Sequence, residues 1–176
     1  PYSTMYDPNS LHLLPGYTDQ PLPFDSNFGS SPIHPDKIDE KDIRAMMASY
    51  YGMISEIDNG IGTILQKLKA KGLYDNTMIV FTSDHGDYMS YHHMMLKGRH
   101  LYDPLIKIPL IVKYPGQTDS FLSENIDVAP TVLELCGQPI PPTMQGRSLL
   151  GNDHRQFAFS ELQFGSQTNQ KIGYML

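Results

Sequence analysis

A long amphipathic helix that leads into an apolar strand constrains the fold of this chain more than any other feature. Over residues 42–68, apolar side chains recur at steps of three and four, which is the spacing of one face of an α-helix. Acidic residues precede this stretch, lysines close it as the helix dipole favours, and Gly72 is a natural C-terminal stop. The apolar face consists of Ile43, Met46, Met47, Tyr50, Ile54, Ile57, Ile61, Ile64, Leu65 and Leu68.

Two short apolar runs follow the helix and predict strands. Residues 77–82 are continuously apolar or β-branched, which is typical of a strand buried on both faces. Residues 108–112 predict a second strand, with Pro109 near its start, where a missing N–H is tolerated. Residues 127–135 open with an acid and a proline and predict a short helix. A helix feeding a buried strand indicates a layered α/β fold.

Composition and charge exclude several classes of partner. The chain has 176 residues, of which 40% are hydrophobic, and this suffices for the core of one domain. A net charge of -6, with scattered lysines and arginines, speaks against a nucleic-acid partner. Eighteen apolar residues never run together, so no membrane span is predicted. Cys136 is the only cysteine, which excludes an internal disulfide, and we expect a buried structural thiol.

The chain is expected to divide into three parts. Residues 1–41 form an irregular segment, rich in Pro, Gly and Asn up to residue 35, that should pack on a preceding portion of the domain. Residues 42–151 carry the helix and strands, and residues 152–176 begin a smaller C-terminal subdomain whose aromatic residues alternate as in a strand. The chain is therefore expected to be the C-terminal part of a longer domain.

A cluster of polar residues follows the first predicted strand, where open α/β sheets collect ligands. Asp84 and His85 offer a carboxylate oxygen and an imidazole nitrogen side by side, and Gly86 allows the backbone to turn sharply. An isolated Asp-His-Gly more often only caps a turn. The following loop strengthens the functional interpretation, because it gathers three imidazoles and two cations: His92, His93, Lys97, Arg99 and His100.

Two features of this loop bear on its chemistry. Lys97 carries a compact point charge that suits an oxygen of a tetrahedral anion, although a solvated surface lysine is the plainer interpretation. His92 and His93 are neighbours, and in an extended loop neighbouring side chains face opposite sides. At most one of the two histidines is therefore expected to serve one site.

The stretch GLYDNTMIVFTSDHGD, residues 72–87, resembles the second signature block of the sulfatase family. Further blocks resemble the family in the same order along the chain, at residues 50–58, 108–112, 114–116, 126–131 and 146–150. The resemblance implies an α/β fold, the three-layer α/β/α sandwich of the alkaline phosphatase-like type, of which this chain is the C-terminal part. It also implies an enzyme that hydrolyses ester bonds.

The resemblance implies a metal centre with a modified nucleophile. The positions of Asp84 and His85 bind a divalent cation in the family, with Ca²⁺ expected first and Mn²⁺ next, and Asp87 is placed to orient a ligand. Family catalysis starts from a formylglycine made from a Cys or Ser in a Cys/Ser-x-Pro-x-Arg motif, which is absent from these residues. Cys136 lies in a different context and is not the nucleophile, so this segment alone is expected to be inactive.

The resemblance also implies roles for the loop. Lys97 matches a residue that contacts the transferred sulfuryl or phosphoryl group, and His100 matches a substrate-side histidine of some members. His92 and His93 fall where phosphonate monoester hydrolases carry a histidine pair, so both are candidates for catalysis. Tyr91 departs from the acid common in the family. Two further family positions, Asp127 and Arg147, are expected to serve helix capping and a buried ion pair.

Four functional hypotheses remain open from the sequence. The leading one is hydrolysis of a small-molecule sulfuric ester. Hydrolysis of a phosphonate monoester or phosphodiester on the same scaffold is the nearest rival, and the His92–His93 pair favours it modestly. A non-catalytic domain that keeps the fold belongs to a different class. An independent zinc protein using the loop histidines is the weakest, because their spacing fits no compact structural site.

Overall fold

The computed structural model describes residues 2–17, 22–25, 37–114, 120–151, 155–166 and 169–175. The chain forms two compact units, one of residues 1–77 and 86–105, the other of residues 78–85 and 106–176. The domain boundaries expected after residues 41 and 151 stay a prediction. No helix in the described ranges combines the length and the apolar character needed to cross a membrane.

Helix α1, Glu40–Ala70, dominates the first unit and confirms the predicted helix. Its start is fixed by a capping box, because Asp39 accepts from the Asp42 N–H at 2.8 Å while Asp42 accepts from the Asp39 N–H at 3.4 Å. Its end is fixed at Gly72, whose φ of +66° lies in the left-handed region that glycine adopts without strain. The predicted stop at Gly72 is therefore confirmed.

The core of the first unit lies along the N-terminal half of α1. Ile43, Met47 and Met89 are buried there, and the N-terminal residues Leu11, Leu13, Leu14 and Tyr17 pack against them with Ile38, Met46, Tyr50 and Tyr51. Gly52 allows close contact, because a Cβ atom at this position would lie 2.3 Å from the carbonyl oxygen of Tyr2. The early segment, with short 3₁₀ turns at Tyr2–Thr4 and Pro8–Ser10, thus packs on α1. Its expected packing on a preceding portion stays a prediction.

The second unit begins with a pair of antiparallel strands. Strand β1, Ile79–Thr82, pairs with β2, Leu110–Lys113, in the register Ile79↔Lys113 to Thr82↔Leu110. Both strands were predicted, but the expected burial of β1 on both faces is wrong for the described residues. Phe81 is 37% exposed and Ile111 on β2 is 61% exposed. An apolar run specifies a strand, whereas its burial depends on which layers cover it.

The remaining elements belong to the two units separately. The four-residue helix α2, Asp103–Ile106, lies at the C-terminal end of the first unit's loop, and its last residue already belongs to the second unit. In the second unit, helix α3, Val128–Leu135, confirms the predicted short helix, and β3, Ser160–Ser166, pairs antiparallel with β4, Asn169–Met175. The expected burial of Cys136 is wrong, because this residue follows the short α3 at its exposed end.

A buried aspartate organises the second unit. Asp127 accepts hydrogen bonds from the backbone N–H groups of Arg147 at 2.7 Å and Glu124 at 2.9 Å. Its carboxylate also accepts two bonds from the guanidinium of Arg155, at 2.6 and 2.8 Å. The structural role of Asp127 is therefore confirmed, with Arg155 as its ion-pair partner. The buried ion pair expected for Arg147 stays a prediction. Its side chain caps the preceding 3₁₀ turn at Asn125–Asp127 and makes no cap bond to α3.

Candidate active site

The C-terminal end of β1 is held by the side chain of Asn125. The Thr82 hydroxyl donates to the Asn125 amide oxygen at 2.9 Å, and the Asn125 amide nitrogen donates to the Ser83 carbonyl at 2.9 Å. The Ser83 hydroxyl in turn donates to the carbonyl of His85 at 2.8 Å. These hydrogen bonds fix the backbone at Ser83, immediately before Asp84 and His85.

Asp84 and His85 lie together immediately after this anchor. Their closest side-chain atoms are Asp84 Oδ2 and His85 Nε2, 3.5 Å apart, and the side chains are 84% and 38% exposed. Two ligands bound at about 2.1–2.4 Å to one cation at a right angle would lie roughly 3.0–3.4 Å apart. The observed 3.5 Å is slightly longer and corresponds to an angle somewhat above a right angle, so the pair is compatible with two positions of one coordination sphere. A cation would need further ligands, since the described residues place no group of three or more His, Cys, Asp or Glu together.

Residues 86–105 of the first unit form a tightly folded loop. Gly86 begins it, and its N–H donates to the Leu105 carbonyl at 2.7 Å. A Cβ atom at Gly86 would lie 1.9 Å from the Pro104 carbonyl oxygen, so no other residue fits without displacing the backbone. The Asp87 carboxylate accepts from the Met89 N–H at 2.8 Å. This bond gives Asp87 a turn-forming role within the loop.

Five non-glycine residues of this loop have positive φ angles. The left-handed conformation is costly for such residues and tends to persist where packing enforces it, often at functional sites. Short backbone bonds enforce it here, from the Tyr88 N–H to the Leu96 carbonyl and from the Ser90 N–H to the Met94 carbonyl, both at 2.8 Å. The five residues are Met89 at +41°, Ser90 at +75°, His92 at +48°, His93 at +63° and Leu96 at +59°.

The adjacent histidines diverge into different surroundings. His92 Nδ1 lies 3.1 Å from Asp25 Oδ2, and the ring stacks on Tyr91 at a centroid distance of 4.1 Å. His93 is 6% exposed and its ring lies parallel to that of Tyr17 at 6.3 Å. The two rings thus have different neighbours, and both residues adopt left-handed backbone rather than the extended backbone that was expected. That at most one of them serves one site stays a prediction.

The buried carboxylate of Asp25 contacts three polar side chains of the loop, His92, His100 and Tyr102. Asp25 is 0% exposed and accepts a hydrogen bond from the Tyr102 hydroxyl at 3.1 Å. His100 Nδ1 lies 3.8 Å from Asp25 Oδ1, and His92 Nδ1 approaches the other carboxylate oxygen. The ring of Tyr102 contacts both histidines, at centroid distances of 4.8 Å to His92 and 5.8 Å to His100.

Two tyrosines fix this arrangement and keep their protons. Burial raises the pKa of Tyr102, and its hydrogen bond to Asp25 raises it further. Burial also raises the pKa of Tyr88, although backbone hydrogen bonds to His100 and Gly98 lower it in part. The Tyr88 hydroxyl donates to the His100 carbonyl at 2.7 Å and accepts from the His100 N–H at 3.0 Å. Tyr88 thereby fixes the backbone of His100, whose buried Nε2 has no hydrogen-bond partner among the described residues.

The structure brings together some of the predicted site residues. His92 and His100 share Asp25, whereas His93 lies apart from them against Tyr17. Lys97 belongs to the same unit and is exposed on the loop, while Asp84 and His85 belong to the second unit. The independent zinc protein gains no support, because no group of three or more metal-binding side chains occurs in the described ranges.

Sequence patterns gave no signal for several residues that shape these sites. Asp25 lies in the Pro-rich N-terminal segment, 67 positions before His92, and nothing local marks it. Asn125 stands 43 positions after Thr82, which it contacts. Tyr91, which departs from the family pattern, packs its ring against Gly16. A Cβ atom at Gly16 would lie 2.4 Å from Cε2 of Tyr91. Tyr91 therefore joins the loop to the N-terminal segment as well as stacking on His92.

Relatives of known description support the resemblance noted in the sequence. The multifunctional alkaline phosphatase superfamily protein PehA of Trinickia caryophylli is 41% identical over 119 residues, which are 64% of this chain and 23% of that protein. Arylsulfatase K of Bos taurus is 34% identical over 126 residues, which are 69% of this chain and 23% of that protein. The chain thus spans about a quarter of the length of the curated relatives it matches.

A solved structure and a family model agree with these relatives. The phosphonate monoester hydrolase of Silicibacter pomeroyi matches with a TM-score of 0.82 and 32% identity, covering 96% of this chain and 38% of that protein. The predicted α/β fold of the alkaline phosphatase-like type is thereby confirmed. The model of the Sulfatase family matches residues 7–138, three quarters of the sequence, and the chain therefore belongs to the sulfatase family.

Proposed function

We propose that this chain forms part of a metal-dependent hydrolase that cleaves a small-molecule sulfuric ester. The observation that carries the proposal is the pair at the end of β1, with Asp84 Oδ2 3.5 Å from His85 Nε2 and both side chains open to solvent. The carboxylate oxygen suits Ca²⁺, which the family resemblance puts first, whereas the imidazole nitrogen suits Mn²⁺ better. A bound cation would neutralise charge on the ester group and lower the pKa of the nucleophile.

The residues of this chain would share the remaining work. Asp84 and His85 would hold the cation, and the exposed Lys97 would bind the anionic oxygens of the ester as a point charge. His92 and His100, which lie beside Asp25 in the first unit, are proposed as the catalytic and substrate-binding histidines. His93 is proposed as a packing residue, since its ring is buried beside Tyr17. A formylglycine nucleophile would come from residues outside this sequence.

Exposed apolar surface within each unit supports a larger catalytic domain. On the C-terminal half of α1, Ile54, Ile57 and Ile64 are between 50% and 62% exposed at helical spacing. In the second unit, Phe81 and Ile111 lie exposed on the paired strands. Helix stripes and sheet faces of this kind are normally covered by another layer of the same domain. The chain would then supply one part of a domain that the relatives build from longer sequences.

Phosphonate monoester hydrolysis is the second candidate function. A specific observation favours it: the Silicibacter pomeroyi phosphonate monoester hydrolase matches almost the whole chain at a TM-score of 0.82. Both esters present a tetrahedral centre with anionic oxygens, so the same cation and lysine would serve either. A panel of aryl sulfates, phenyl phosphonates and phosphodiesters, assayed with the full-length protein, separates the two by the ratio of kcat/KM values.

Calorimetric titration of Ca²⁺ and Mn²⁺ tests the metal site directly. The full-length protein should bind a cation, and Asp84→Ala should abolish or strongly weaken this binding because it removes a charged ligand. His85→Ala should weaken Mn²⁺ binding more than Ca²⁺ binding, since imidazole is a better ligand for manganese. Unchanged binding in both variants would overturn the assignment of the site.

Asp75→Ala provides the matched control for this titration. Asp75 is an exposed carboxylate nine positions before Asp84 and precedes β1 rather than following it. Its removal changes the net charge as Asp84→Ala does but leaves the candidate ligands intact. Equal losses of cation affinity in the two variants would indicate a general electrostatic effect and contradict a specific site.

A further inference from the structure

We propose that Asp25 is a positioning residue for the loop histidines: it hydrogen-bonds Nδ1 of His92 and lies close to Nδ1 of His100, so that the Nε2 atoms serve the substrate. This inference rests on the proposed function. It goes beyond the ligands and the lysine, because it assigns a role to a residue that no sequence pattern marks. The same carboxylate faces Nδ1 of His92 at 3.1 Å and Nδ1 of His100 at 3.8 Å.

The partners of Asp25 distinguish it from a purely structural carboxylate. A buried carboxylate needs hydrogen-bond donors or a countercharge. Among the described residues, Asp25 has His92, His100 and the hydroxyl of Tyr102 as such neighbours, and none of the three is a permanent cation. Asp127, equally buried, is instead held by the guanidinium of Arg155. A carboxylate that needs only stability is served well by such a permanent charge.

A hydrogen bond to one nitrogen of an imidazole determines what the other nitrogen can do. A carboxylate that accepts from Nδ1–H fixes which ring nitrogen carries the proton and leaves Nε2 for another partner. His100 Nε2 is buried and has no hydrogen-bond partner in the described part of the chain. A buried polar atom of this kind calls for a ligand, a water or an ion. We assign this atom to an oxygen of the ester substrate.

The surroundings make the two rings rigid enough to be positioned. Tyr102 donates to Asp25 and contacts both imidazoles, so the carboxylate cannot rotate without losing that bond. Tyr91 covers the other face of the His92 ring at 4.1 Å. Tyr88 holds the backbone of His100 through both its N–H and its carbonyl. A change of charge at Asp25 should therefore act on the rings rather than on the loop as a whole.

Asp25→Asn in the full-length protein tests the proposal through two readouts. Imidazole ¹⁵N spectra should show the Nδ1–H tautomer of neutral His92 in the unaltered protein and a shift toward Nε2–H in the variant. The value of kcat should fall on the order of ten- to hundredfold, the usual effect of losing a carboxylate that orients a histidine, with a smaller change in KM. Unchanged tautomer and unchanged kcat would overturn the proposal.

A double-mutant cycle identifies the histidine through which Asp25 acts. If His92 is the main route, Asp25→Asn should have little further effect on kcat in a His92→Gln background, because interacting residues are not additive. The same cycle with His100→Gln tests the second ring. Fully additive effects in both backgrounds would contradict a positioning role.

Asp127→Asn is the matched control, since it neutralises an equally buried carboxylate whose partners in the described ranges are backbone N–H groups and Arg155. It should lower stability but leave the His92 tautomer and kcat unchanged. Should Asp25→Asn fail to fold, Tyr102→Phe is the second variant, with an expected loss in kcat of about two- to fivefold from one hydrogen bond. An unaltered protein that hydrolyses no ester of the panel would overturn the proposed function, and the tautomer spectra would still show whether Asp25 holds Nδ1.

Discussion

The two units of this chain each contain a buried aspartate, and the two are held in opposite ways. Asp127 is fixed by Arg155 through two hydrogen bonds from a group that stays charged at any working pH. Asp25 has His92, His100 and Tyr102 as its neighbours among the described residues, and none of these is a permanent cation. Burial is the same in both cases, at 1% and 0% exposure. The difference teaches that the partner, rather than the burial, decides what a buried carboxylate can do.

The pKa of Asp127 shows what a permanent partner achieves. Burial raises the pKa of this carboxyl group, but hydrogen bonds from Arg155, Arg147 and Glu124 outweigh the burial and leave the pKa below its ordinary value. The same contact raises the pKa of Arg155. Both groups thus remain ionised in the folded chain. The pair connects the turn before α3 to residues 147 and 155, which suits a structural role.

The largest effect is expected from Asp127→Ala. The variant leaves the guanidinium of Arg155 largely buried without its main carboxylate, although Glu124 still contacts it at 2.7 Å. Removing one partner of a buried pair typically costs about 3–5 kcal/mol of unfolding free energy. Urea unfolding measures the loss, and hydrogen exchange should place it in the second unit. A loss below about 1 kcal/mol would contradict the structural role.

A smaller loss is expected from Asp25→Ala in the first unit. Its partners among the described residues are two histidines and a tyrosine, so removing the carboxylate leaves no guanidinium without its countercharge. Leaving their buried polar atoms unsatisfied should cost about 1–3 kcal/mol. The same urea titration compares the two alanine variants. A loss equal to that of Asp127→Ala would remove the distinction between the two aspartates.

Acid should destabilise the second unit through Asp127. Because the folded pKa of Asp127 is depressed, its contribution is fully present above the unfolded value near 3.8 and is lost as the pH falls through the folded pKa. The slope for one such group is at most about 1.4 kcal/mol per pH unit. Unfolding free energies measured between pH 5 and the lowest pH at which the chain stays soluble should show a shallower fall in Asp127→Asn than in the unaltered protein.

The smallest effect is expected from Tyr102→Phe. This change removes the hydrogen bond to Asp25 but keeps the ring that contacts His92 and His100. One neutral hydrogen bond to a buried acceptor contributes about 0.5–1.5 kcal/mol. Thermal unfolding measures the change, with Tyr74→Phe as a control on a partly buried tyrosine away from Asp25. Equal shifts in the two variants would show that the bond to Asp25 adds nothing specific.

Much of the secondary structure could be predicted because it depends on nearby residues. The apolar spacing of α1, its acidic start and its glycine stop are local, and the observed Glu40–Ala70 follows them. Strands β1 and β2 also lie within or beside the predicted runs. The burial of β1 and of Cys136 was wrong, because burial depends on the layers that come to cover a segment. Local composition does not contain that information.

The candidate site could be predicted only in part. Asp84 and His85 are neighbours in the sequence and directly follow a predicted strand, so their proximity could be predicted. The partner of His92 could not be predicted, because Asp25 lies in a segment without periodicity. The pairing of Asp127 with Arg155 likewise joins residues 28 positions apart, and no local pattern indicates it. Their roles in cation and substrate binding stay predictions.

By itself the sequence determined the long helix, the two strands, the membership of the sulfatase family and the pair that closes β1. These features rest on periodicity, capping and short motifs, all of which act over a few residues. Only the tertiary structure decided that His92 and His93 part, that His92 and His100 meet at Asp25, and that Tyr102 completes the cluster. Such contacts join residues up to 77 positions apart, and packing, not local preference, selects them.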